Sequence, residues 1–303
     1  MKRRDFAKLA VPVAFAGITD QHGFGQLRTA GNHESTKQFG AERLDFVLSA
    51  SRAFLIKPIH IPSGSKPWLW YAPAFMGKHP SDPSINPTEA IHPTDIDTPP
   101  RGDRKDRTTN AWLFTRLLAN GFHIAGIEVG ESYGNPAGRK HFTELYGFLL
   151  NKHALSPKAC LYPQSRGGLM LYNWAVEHPD SVQCVAGNQP VCDLRSYPGL
   201  EKASPAYEMS ATELEHHLQE HNPIARIAPL AARKVPILHV HGDQDKLVPL
   251  ETNTMELARA YKASGGEIEV IVAKGVGHGN WPELFEKPRV LDFLLAQVKG
   301  SNR

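Results

Sequence analysis

From about residue 41 onward, short apolar runs alternate with longer stretches whose apolar residues recur every three or four positions. The short runs read as strands and the longer stretches as amphipathic helices. Strands are predicted at 44–48, 53–59, 68–72, 123–129, 159–162, 182–187, 237–241 and 268–272. Helices are predicted at 109–120, 138–153, 167–178, 252–264 and 289–299, with Gly121, Pro179 and Gly265 as stop signals. Several of the runs are apolar throughout, as strands covered on both faces must be, and the strand–helix alternation predicts a mostly parallel α/β sheet.

Two long stretches break this rhythm. Residues 76–107 carry Pro80, Pro83, Pro87, Pro93, Pro99 and Pro100 among mostly polar side chains, which excludes regular helix or strand. Residues 193–233 hold one predicted helix, opened by the Ser210-Ala211-Thr212-Glu213 capping box. Both follow strands whose C-terminal ends form the usual ligand face of an open α/β sheet, so specificity is expected there.

The N-terminus is of another kind. Met1-Lys2-Arg3-Arg4-Asp5-Phe6-Ala7-Lys8 leads into an apolar stretch, 9–18, half as long as the roughly twenty residues a bilayer crossing needs. It resembles a twin-arginine export signal, which places the expected protein in the periplasm or outside the cell and leaves 19–303 as the catalytic domain. The formal charge of +3 is then misleading, because Lys2, Arg3, Arg4 and Lys8 against Asp5 supply that whole excess. A near-neutral remainder gives no electrostatic case for nucleic acid or an acidic membrane surface as partner.

The three cysteines, Cys160, Cys184 and Cys192, form no even disulfide framework, and buried free thiols are expected, with a bridge between Cys184 and Cys192 as the alternative. Despite 15 histidines, no spacing supports a metal, and no glycine-rich loop supports a nucleotide, so no cofactor is expected.

The candidate chemistry lies at three strand ends. Ser165 follows strand 159–162 and precedes helix 167–178, in Tyr162-Pro163-Gln164-Ser165-Arg166-Gly167-Gly168. His241-Gly242-Asp243-Gln244-Asp245 ends a later strand, and Gly277-His278-Gly279 follows the last. A serine hydroxyl is a weak nucleophile; it needs a base within hydrogen-bond reach and a third group to hold that base in one tautomer. Ser165 and His278 suit the first two roles. Asp243, Asp245 and Asp193, which follows the sixth predicted strand, are the candidates for the third.

On these motifs, segments 156–200 and 235–282 resemble the esterase and prolyl-oligopeptidase-like branch of the α/β-hydrolase superfamily. The resemblance implies an α/β-hydrolase fold with an eight-stranded, mostly parallel sheet flanked by helices and a small cap insertion. It implies the order nucleophile, acid, base. It also selects Asp245, the fifth residue of a His-Gly-x-x-Asp-x-x-Val-Pro pattern, and leaves Asp243 to organise the turn. The oxyanion donors it implies are the backbone N–H of Arg166 and one from the loop after strand 68–72, where Pro73 has none and Ala74 or Phe75 must serve. The Ser165-Arg166 pair is also similar to that of glucuronoyl esterases, in which the arginine helps polarise the substrate.

The expected activity is serine ester hydrolysis, with a carbohydrate ester as substrate. The alternatives are a prolyl-oligopeptidase-like peptidase, against which the chain has little room for a propeller, and a non-catalytic binding protein, which Pro163 in place of the usual elbow glycine would fit. Trp281 could stack on a sugar ring or cover the core. Glu128, Glu131, Ser132 and Tyr133 could line the pocket or build a turn, and His216 and His217 are expected on an exposed cap-helix face.

Overall fold

A computed structural model describes residues 34–60, 64–75 and 110–299. The export-signal expectation at 1–18 and the whole insertion 76–107 lie outside the described residues. Among the described residues nine strands form one sheet, β1 (Glu34–Gln38), β2 (Ala41–Leu48), β3 (Ser51–Ile56), β4 (Trp68–Ala72), β5 (His123–Ile127), β6 (Ala159–Pro163), β7 (Val182–Asn188), β8 (Ile237–Gly242) and β9 (Ile268–Ala273), in the order β1-β2-β3-β5-β4-β6-β7-β8-β9. The first three strands pair antiparallel up to β5, and every pairing from β5 through β4 to β9 is parallel.

The parallel strands carry side chains into a core on each face. In β4, Trp68, Trp70 and Ala72 join one apolar cluster while Leu69 and Tyr71 join the other. The first cluster is closed by α2 (Pro136–His153), α3 (Gly167–Glu177) and α9 (Glu256–Ala263), the second by α1 (Ala111–Ala119) and α11 (Pro288–Lys299). Strands buried on both faces need no polar alternation, which is why the apolar runs marked them. The three cysteines are free and buried, so the alternative bridge between Cys184 and Cys192 does not form.

The expected eight strands become nine because β1 is entirely polar, and no apolar run could mark it. Its partner holds it instead. Buried Arg43 of β2 donates from Nη1 to Gln38 Oε1 at 2.8 Å and from Nε to Asp45 Oδ2 at 2.7 Å, while Phe39 and Gly40, at φ +52° and +73°, close a two-residue hairpin.

The cap also differs from expectation. Residues 193–233 contain five short helices rather than one: α4 (Leu200–Ala203), α5 (Ala211–His216), α6 (Leu218–His221), α7 (Pro223–Arg226) and α8 (Ala228–Ala232). Helices of four to six residues are too short to show a 3.6-residue period. The Ser210 capping box is present, with Ser210 Oγ accepting from Glu213 N–H at 3.2 Å and Glu213 Oε2 from Ser210 N–H at 2.8 Å. Leu194, Ala203, Tyr207 and Leu214 of the cap pack with Tyr133, Leu169, Val191 and Val248, so the cap rests on the first turn of α3 and on loops that follow β5, β7 and β8.

Candidate active site

The turn from β6 into α3 forces Ser165 into a left-handed conformation at φ +48°. Neighbouring backbone holds it there: Gln164 N–H donates to Ala72 O at 2.9 Å, Ser165 N–H to Asn188 O at 3.0 Å, and Val191 N–H to Ser165 O at 2.8 Å. The glycines that follow are required by proximity. A Cβ at Gly167 would lie 2.1 Å from Ala72 O, and one at Gly168 would lie 2.2 Å from Val191 O. Pro163 fits because its position is the last of a buried strand; its nitrogen faces the β7 side, so the proline costs one ladder bond. We predict that Gly167→Ala destabilises the fold by about 1–3 kcal/mol and displaces the elbow. A wild-type urea midpoint with wild-type turnover would contradict this.

The loops after β8 and β9 meet above Gly242, where an added Cβ would lie 2.2 Å from Val276 O. Asp243 ties them together, accepting Gly275 N–H at 2.7 Å and pairing with Lys274 at 3.4 Å. This leaves Asp245 to face the histidine. Its Oδ2 accepts His278 Nδ1–H at 2.7 Å, and its Oδ1 accepts the N–H groups of Leu247 and Val248 at 3.0 and 2.8 Å. Burial pushes the Asp245 carboxyl up, but hydrogen bonds from His241, His278 and Val248 N–H outweigh it and hold the group well below the usual carboxylate range. His278 Nε2 lies 3.0 Å from Ser165 Oγ.

Serine, histidine and aspartate are thus joined in one hydrogen-bonded series. With Nδ1–H fixed on Asp245, Nε2 is free to take the serine proton, and the carboxylate stabilises the imidazolium that results. Asp193 stands apart: it is buried against Arg195, which reaches it at 2.9 Å, and Asn222, at 3.0 Å.

The loop after β4 lies against the elbow, since the Gly167 approach to Ala72 O extends to the nitrogen of Pro73. Ala74 forms a parallel bridge with Glu128, and Phe75 takes φ +60°.

The profile of the prolyl oligopeptidase family matches residues 146–300, half of the chain, including Ser165, Asp245 and His278. The chain belongs to the prolyl oligopeptidase family. Members of this family are serine hydrolases, and similar solved structures share the α/β-hydrolase fold. Dipeptidyl peptidase 4 of Porphyromonas gingivalis aligns at 13% identity over 87% of this chain and 41% of its own, with a TM-score of 0.59. Acylaminoacyl peptidase of Pyrococcus horikoshii gives 17%, 89%, 41% and 0.55. The S-formylglutathione hydrolase of Agrobacterium tumefaciens gives 12%, 88%, 96% and 0.60. The chain therefore spans about two fifths of the length of these peptidases. No curated protein matched the sequence.

Arg166 reaches over the turn to ion-pair with Glu131, and its guanidinium stands 5.8 Å from the Tyr197 ring. Tyr133 lies beside Glu131, and burial, with that carboxylate, pushes its phenol up to about 12. Its carbonyl accepts Tyr207 O–H at 2.8 Å, so it also anchors the cap. Glu128 pairs with Arg52 at 2.8 Å, and Ser132 is buried in the turn before α2, accepting Gly134 N–H at 3.4 Å. Trp281 is 49% exposed at the start of α10 (Pro282–Phe285), so it does not cover the core. His216 is exposed and His217 only partly so, its Nδ1 2.8 Å from Glu213 O. Among the described residues no cluster of three His, Cys, Asp or Glu side chains could hold a metal.

One residue of the site carried no sequence signal. Gln189, buried at φ +42° just after β7, donates Nε2–H to Gly279 O at 2.9 Å and accepts Gly279 N–H at 3.4 Å. It clamps the loop that delivers His278. A polar residue following a strand reads as a turn, and only the approach of a loop 90 positions away gives it this work.

Proposed function

We propose that this protein hydrolyses carboxylic esters through an acyl-enzyme on Ser165. The observation that carries this is the series Ser165 Oγ, His278 and Asp245, at 3.0 and 2.7 Å, at the end of the strained elbow. His278 Nε2 takes the hydroxyl proton as Oγ adds to the ester carbonyl. The backbone N–H of Arg166 and one from Ala74 or Phe75 would receive the oxyanion. The imidazolium then returns its proton to the departing alcohol, and water, activated by the same histidine, releases the acid.

For substrate class we propose esters of hydrophilic, carbohydrate-like groups. Support comes from a rim that is charged and aromatic: Arg166 with Glu131, the Tyr197 ring beside them, and a half-exposed Trp281. The S-formylglutathione hydrolase, aligned over nearly its whole length, also acts on an acyl group carried by a small polar molecule. The family match and the peptidases among similar structures favour a second reading, amide hydrolysis of short peptides. Export through the N-terminal segment 1–18 completes the proposal.

Turnover of acetylated sugars, methyl glucuronate esters and proline amides by the purified protein separates the readings. We expect kcat/KM on a sugar ester to exceed that on any amide by at least about 100-fold. A preference for the amides would make the protein a peptidase.

A further inference from the structure

Behind Asp245 lies a second histidine that the triad does not use. His241 Nε2 is 2.8 Å from Val248 O and 3.4 Å from Asp245 Oδ2, the same oxygen that receives His278, and both side chains are buried. Its Nδ1 is 2.8 Å from Thr254 Oγ1, which is 3.0 Å from His239 Nδ1. His239 Nε2 in turn is 2.6 Å from Tyr172 Oη.

The acceptor at one end assigns every hydrogen in this series. A carbonyl can only accept, so His241 Nε2 carries a hydrogen aimed at Val248 O and the Asp245 carboxylate. In the neutral ring Nδ1 is then bare and accepts Thr254 O–H. That hydroxyl, its one hydrogen committed, accepts His239 Nδ1–H, which leaves His239 Nε2 to accept Tyr172 O–H. Burial, with His241 nearby, pulls His239 down to about 3, and burial pushes the Tyr172 phenol well above its ordinary range, so these two members of the series are neutral. All four donors run one way, toward Asp245.

We infer that His241 is a positioning residue for the catalytic carboxylate, and that Thr254, His239 and Tyr172 fix the tautomer in which it donates. The inference rests on Asp245 being the acid of the triad. Oδ1 is already held by two backbone N–H groups. The Nε2–H of His241, bonded to Val248 O at 2.8 Å and 3.4 Å from Oδ2, presents partial positive charge to that oxygen, which opposes rotation of the carboxylate away from His278 and keeps it an acceptor when the imidazolium forms.

The test uses the full chain with p-nitrophenyl acetate as probe. His241→Leu fills the space without a donor, while His241→Gln retains an N–H at similar reach. Losing a hydrogen bond to a charged group predicts a fall in kcat of about 10- to 100-fold for the leucine variant, with KM within about twofold and recovery in the glutamine variant. The downfield NMR signal of His278 Nδ1–H should shift in His241→Leu and return in His241→Gln. If His241→Leu does not fold, the decision passes to Thr254→Val, which should lose kcat, and Thr254→Ser, which should keep it. A folded His241→Leu with wild-type kcat and an unmoved signal would overturn the inference, as would equal kcat across the Thr254 pair. Ser165→Ala is the control: only its retention of activity would instead remove the triad beneath the inference.

Discussion

Alanine at position 165 is expected to lower ester turnover by on the order of 10⁶-fold while leaving the fold intact. The two halves of this expectation have separate causes. His278 and Asp245 have no chemistry of their own without the hydroxyl, because their arrangement serves only to move a proton from Oγ at 3.0 Å. The residual rate, about 10³-fold above water, would come from the oxyanion donors and from binding. Stability should hardly change, since the elbow is fixed by backbone bonds to Asn188 and Val191 that alanine keeps, and both residues suffer alike at φ +48°. Fluorophosphonate labelling, which needs an activated serine, measures this directly. Labelling that survives in Ser165→Ala would place the nucleophile elsewhere, and a wild type that never labels would point to a non-catalytic scaffold.

How far the sequence could be read depended on which forces leave a local trace. Strands β4, β5 and β6 are buried at every position, and burial on both faces writes itself as an apolar run. Strand β1 left no trace because its residues are all polar and it is held by backbone pairing with β2 and by the hydrogen bond from Arg43 to Gln38. The cap helices left only a capping box. At the site, Ser165, Asp245 and His278 could be named because each sits at a strand end in a recognisable local pattern. Gln189 could not, because it acts on a loop 90 positions away, and the role of His241 could not, because it rests on how a buried turn folds its near neighbours Asp245, Val248 and Thr254 around the ring. Pro163, the main reason for doubt in the sequence, occupies a strand position where the loss of one N–H is tolerable.

The acid offers a sharper test than the nucleophile, because the structure dictates which way an asparagine would face. In Asp245, Oδ1 accepts the backbone N–H groups of Leu247 and Val248, which cannot turn away or lose their hydrogens, whereas Oδ2 faces the imidazoles of His278 and His241; in Asp245→Asn the amide oxygen is therefore expected at Oδ1 and the NH₂ in the place of Oδ2. A donor would then oppose His278 Nδ1 across a 2.7 Å contact. The imidazole can answer only by moving its hydrogen to Nε2, which leaves no lone pair for the serine proton. A fall in kcat of about 10⁴-fold follows, with little change in KM or stability. Since its hydrogen bonds hold the Asp245 carboxyl well below the usual range, acid should not reproduce this loss: the carboxylate stays ionised wherever the protein remains folded, and the acid limb of the wild-type profile must come from another group. Asp193→Asn provides the contrast. It weakens the hold of the buried Asp193 side chain on the half-exposed Arg195 and on Asn222, and should cost roughly 1–3 kcal/mol in urea unfolding while kcat holds within about threefold. The opposite pattern, with kcat lost at position 193 and kept at 245, would move the acid to the end of β7.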